Sequence, residues 1–134
     1  MPMSPGFWHL FGPDGSELER LKESFSLVGD ADPVLPYNTE LMPTVDALGK
    51  PKRAAIFHHA GHYGFSEMCG FAPFLSPECI EEDQGWADIE QVQADSNTLI
   101  VAYVGSVHTG DDNYSKWLLP ENWVGTSLSI LDAD

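Results

Sequence analysis

Phe25-Ser26-Leu27-Val28-Gly29-Asp30-Ala31-Asp32-Pro33 and, further on, Ala54-Ala55-Ile56-Phe57-His58-His59-Ala60-Gly61-His62-Tyr63-Gly64-Phe65 are the passages that decide how this chain folds. Each opens on a short strand-like run and then breaks at small or turn-forming residues. Each also delivers a titratable group just past the end of its strand, Asp32 from the first and His62 from the second. Open parallel sheets build their sites at that edge. Between the two runs, Leu41, Val45 and Leu48 recur at helical spacing, Pro43 fits a first turn and Gly49 supplies a stop. Strand, helix and strand over about 35 residues match the length of a parallel crossover, so a layered α/β domain is expected.

Outward from this unit, residues 1–15 are rich in proline, glycine and aromatics, with Phe7, Trp8, Leu10 and Phe11 as their apolar members and no periodicity. Ser16 with Glu19 three positions on, followed by Leu18 and Leu21, predicts a short capped helix. Beyond His62 a long loop runs to about Gly85, carrying Pro73, Pro77, Cys69 and Cys79. Ile89, Val92, Leu99, Tyr103 and Val107 then follow helical spacing, which predicts a long helix from about Trp86 to Val107, with Gly105 weakening its last turn. Asp111-Asp112-Asn113 reads as a turn, Tyr114 to Leu119 as one helical turn ended by Pro120, and Leu128 to Leu131 as a short final strand.

A chain of 134 residues suffices for one ordinary domain, and 43% apolar with 11% aromatic residues is the composition of a globular core. Six Lys and Arg stand against 21 Asp and Glu, for a net charge of −15. Residues 67–134 hold thirteen of those acids and one base. A surface of this sign repels phosphate backbones and anionic lipid, which argues against nucleic acid and membranes as partners. No apolar run approaches the ~20 residues of a membrane helix and the start lacks the pattern of a signal peptide, so a soluble chain is expected. Cys69 and Cys79 stand ten positions apart: a loop-clasping disulfide in an oxidising compartment, or two ordinary thiols in a reducing one.

Gly29-x-x-Asp32 with Pro36 after one strand, and Gly61-His62 followed by Phe65 after the next, resemble the carboxyl-terminal part of an α/β-hydrolase, most closely the dienelactone hydrolase and platelet-activating-factor-acetylhydrolase-like esterases. The long helix containing Asn97-Thr98-Leu99-Ile100-Val101-Ala102-Tyr103 resembles that family's closing helix, and the resemblance covers about residues 1–119. It implies the last parallel strands and packing helices of a doubly wound sheet, with Asp32 as the acid and His62 as the histidine of a Ser-Asp-His triad. The implied reaction is hydrolysis of a small carboxylic ester through an acyl-serine. It calls for no cofactor and no metal. The family's Gly-x-Ser-x-Gly nucleophile motif has no counterpart here, since Gly125-Thr126-Ser127-Leu128-Ser129 lacks the second glycine and follows the last helix. The chain therefore reads as a single hydrolase-like segment without the nucleophile half, inactive as an esterase by itself.

Other readings stand beside this one. The chain could be a non-catalytic binding or assembly module of the same descent, or His58, His59 and His62 could form a metal cluster. An aspartate in Gly-Asp-Ala-Asp-Pro is also a common turn former that bonds its own backbone. Of His58 and His59, strand alternation sends one to the core and the other to solvent. Cys69 is a nucleophile candidate, disfavoured by Glu67 beside it. With few strands to close a sheet, at least one edge is left open, and a partner chain or self-association is expected to cover it.

Overall fold

The computed structural model of the chain describes residues 16–21, 23–80 and 85–133. Its centre is a three-stranded mixed sheet in the order β1-β2-β3, with β1 at Ser24–Gly29, β2 at Lys52–Phe57 and β3 at Leu128–Ala133. β1 and β2 run parallel, from Ser24 opposite Lys52 to Gly29 opposite Phe57. β3 runs antiparallel on the far edge of β2, pairing Phe57 with Leu128 and Lys52 with Ala133. The chain is therefore α/β, as the strand–helix–strand pattern implies.

Alternation along the strands divides the core into two layers. Phe25, Leu27, Ala55, Phe57, Leu128 and Ile130 project from one face onto Val92, Leu99 and Ala102 of the long helix, with Leu118 and Trp123 closing the layer. Val28 and Ala54 project from the other face onto Leu35, Leu41 and Val45. The second layer is the smaller because its cover is short: a single π-helical turn, Tyr37–Leu41, that runs into α1 at Met42–Ala47. Pro43 sits in the first turn of α1, where its missing N–H costs nothing, and Leu48 ends the helix by turning extended.

α2 is a four-residue turn at Met68–Phe71 inside the long loop. α3, the long helix, spans Ile89–Thr109. Its start lies three residues later than the apolar spacing suggests, because Asp88 caps it by accepting from the Gln91 amide. Its end passes through Gly105 to Gly110, which takes the left-handed conformation of a C-cap. Twenty-one residues make a rod of roughly 31 Å against about 20 Å for a six-residue strand. Val107, in the last turns of the helix, is exposed although it follows the apolar spacing.

Three smaller expectations change. The segment at Ser16–Arg20 is a 3-10 helix rather than an α-helix. Asp111-Asp112-Asn113 starts a helix, α4 at Asp112–Ser115, with Asp111 accepting from the Asn113 amide. The helical turn before Pro120 is a 3-10 segment, Lys116–Leu118. The apolar residues Phe7, Trp8, Leu10 and Phe11 lie outside the described residues. Among the described residues no helix is long and apolar enough to cross a membrane.

Candidate active site at the ends of the parallel strands

Because β1 and β2 are parallel neighbours, the loops leaving their carboxyl ends lie side by side. They are laced together: the Asp30 amide donates to the Phe57 carbonyl at 3.1 Å and the Ala31 amide to the Ala60 carbonyl at 3.1 Å. Gly29 permits this approach, since a Cβ there would stand 2.4 Å from the Ala60 oxygen.

The lacing carries Asp32 to His62. Asp32 Oδ2 lies 2.8 Å from His62 Nδ1, while its Oδ1 accepts from the amides of Val34 and Leu35, both at 2.8 Å. The turn-forming role and the histidine-orienting role of this aspartate are thus both present, on different oxygens. The carboxylate is buried, its side chain 6% exposed, whereas the His62 ring is 26% exposed. A carboxylate only accepts, so Nδ1 is the donating nitrogen and Nε2 carries the free lone pair. The Tyr63 ring meets the imidazole edge-on with centroids 5.1 Å apart. An apolar cavity of about 280 Å³ opens beside the pair, walled by Leu27, Val28, Leu41, Phe65 and Met68.

The histidine loop has a second support that the sequence does not advertise. Glu78 is buried and accepts from the Tyr63 amide at 2.7 Å and the Ser76 hydroxyl at 3.3 Å. It lies so close to Gly61 that a Cβ there would come within 2.0 Å of its Oε2. The neighbouring Cys79 is disulfide-bonded to Cys69, closing the loop that presents Glu78. Of the two redox readings of this pair, the bridged one is observed, and Cys69 drops out as a nucleophile.

Neither of the remaining histidines of this stretch faces the core. β2 ends at Phe57, so alternation no longer holds beyond it. His58 is 43% exposed at its side chain and turns to Asp30, and His59 is exposed with a positive φ of 63°. His58 and His62 therefore address different aspartates, and among the described residues no group of three His, Cys, Asp or Glu converges to hold a metal ion. Ser127 is exposed, and its carbonyl accepts from the His58 amide at 2.8 Å.

No family model, curated protein or solved structure matches the chain.

Proposed function

We propose that Asp32 and His62 are the acid and the histidine of a carboxylic-ester hydrolase of the α/β-hydrolase type, in a segment corresponding to that fold's carboxyl-terminal part and akin to the dienelactone hydrolase-like esterases. The observation that carries the reading is the 2.8 Å contact between His62 Nδ1 and a buried carboxylate, at the carboxyl ends of adjacent parallel strands. Asp32 holds the ring so that Nε2 faces outward as the base. A serine hydroxyl brought to Nε2 would give up its proton as it attacks the ester carbonyl, and the imidazolium would return that proton to the leaving alcohol. The apolar cavity beside the pair suits a small acyl group.

The serine and the oxyanion donors come from outside residues 1–134 in this reading, either from a further segment or from a partner chain. Two features favour such a neighbour. β1 is an edge of the sheet, with β2 on one side and no described strand on the other. Phe71 and Phe74 of the disulfide loop and Ile80 just after it are 84%, 77% and 61% exposed, apolar surface in the segment that follows Met68 of the cavity wall. The same surface favours a second reading, a non-catalytic assembly module.

The two readings separate in one experiment. The chain is assayed on a short-chain activated ester, alone and together with any segment encoded beside it that carries Gly-x-Ser-x-Gly, with His62→Ala and Asp32→Asn as controls. Turnover that needs the added segment and collapses in both variants supports the hydrolase. Absence of such a segment, or segment-dependent turnover indifferent to His62→Ala, supports the module.

A further inference from the structure

A second aspartate and histidine leave the same strand ends, and they reach a serine. Asp30 Oδ2 lies 2.8 Å from His58 Nδ1, and His58 Nε2 lies 3.1 Å from Ser129 Oγ. We propose that Asp30, His58 and Ser129 form a complete nucleophilic centre where β3 borders β2, separate from Asp32 and His62, that accepts small activated esters at Ser129.

The hydrogen bonds run in the sense the chemistry needs. Asp30 is fixed at both oxygens, its Oδ1 accepting from the His59 amide at 2.6 Å while Oδ2 takes the imidazole. His59 itself has a left-handed backbone, with φ 63°. His58 is fixed at its own amide by the Ser127 carbonyl. With Nδ1 donating to the carboxylate, Nε2 is left as acceptor, and the hydroxyl of Ser129 is the donor it meets. The third member of the set is supplied by the antiparallel strand: Ser129 pairs with Ile56, two residues before His58 in the chain. The ladder adds a backbone donor. The His58 amide bonds Ser127, so the hydrogen-bonded pairs of this ladder are 58 with 127 and 56 with 129, and the N–H of Ile130 points away from β2 toward the side of β3 on which no described strand lies. An amide following the nucleophile is a common oxyanion donor. His58 and Asp30 are 43% and 29% exposed at their side chains and Ser129 is half-buried, so short acyl groups and small phosphonates are the class proposed for it.

The test uses a fluorophosphonate. Ser129 Oγ attacks phosphorus, the P–F bond breaks, fluoride departs, and the hydroxyl proton passes to His58 Nε2 and on to solvent. The product is a stable phosphonyl-serine with no change of oxidation state. Intact-protein and peptide mass spectrometry on the wild-type chain are expected to show one adduct, on Ser129, so the assignment does not depend on any variant folding. Ser129→Ala should abolish the adduct. His58→Gln should slow its formation by a factor of at least about 10², the usual contribution of a positioned base. Ser127→Ala should leave the rate unchanged, and the position of the adduct separates this centre from the Asp32–His62 pair. No adduct, an adduct elsewhere, or a rate unaffected by His58→Gln overturns the proposal and leaves the contact as a clasp between β2 and β3.

Discussion

Gly61→Ala tests how the histidine loop is held. The added methyl would stand 2.0 Å from Glu78 Oε2 and 2.5 Å from its Cδ, too close to persist. A glutamate can swing aside, but this one is only 3% exposed and accepts from the Tyr63 amide and the Ser76 hydroxyl. Moving it breaks a charge-assisted bond of about 1.5–3 kcal/mol and leaves buried donors unmet at roughly 1–3 kcal/mol each, with the two terms overlapping. The expected cost is about 2–4 kcal/mol, a large share of the 5–15 kcal/mol typical of a domain. Urea denaturation followed by tryptophan fluorescence measures it. The decisive comparison is a double-mutant cycle: in a Glu78→Ala background Gly61→Ala should cost less than about 0.5 kcal/mol. A cost that is small in the parent, or equal in both backgrounds, would refute the placement of Glu78 against Gly61.

Removing the disulfide with Cys69→Ala and Cys79→Ala should lower stability by about 2–3 kcal/mol, as expected for a loop of roughly ten residues; free thiols in protein purified without reductant would contradict the bridge. Burial first, and Glu23 second, push the Tyr103 hydroxyl above its ordinary range. The folded chain holds that proton more tightly, so the stability it contributes is present below about pH 10 and is lost as the pH rises through the folded value. Tyr103→Phe should flatten the alkaline limb of a pH-stability curve, and an unchanged limb would count against this. The edge of β1, where no described strand pairs, and the exposed Phe71 and Phe74 imply self-association at micromolar concentration by sedimentation, stronger at 0.5 M salt than at 0.05 M because a charge of −15 is then screened; a compact monomer at both salts would contradict it.

Much of the architecture is written in local pattern. β1, α1, β2 and α3 each carry their own periodicity and stops, and Asp32 and His62 are legible because each follows a strand. What could not be read depends on contacts distant in sequence. β3 is visible as a short apolar run, but nothing in Leu128-Ser129-Ile130-Leu131 says that it pairs antiparallel with β2, and so nothing points from Ser129 to His58, 71 residues away. Asp30 was hidden by its neighbour, since a Gly-Asp-Ala-Asp turn offers two carboxylates and only the folded loops show that each finds a different imidazole. Glu78 precedes Glu81, Glu82 and Asp83, an acidic run that reads as solvated surface. The one signal for its burial is Gly61 beside His62, a position that has no room for a side chain because the carboxylate occupies it.

The most direct test of the Asp32–His62 pair is the tautomer of the imidazole, read from long-range ¹H–¹⁵N correlations of the neutral ring. The expected result is a proton on Nδ1 and a bare Nε2 in the wild-type chain, with that preference lost in Asp32→Asn. A proton on Nε2 in the wild-type chain, or a spectrum that Asp32→Asn leaves unchanged, would mean that the carboxylate does not orient the ring, and the assignment of His62 as a base would fall with it.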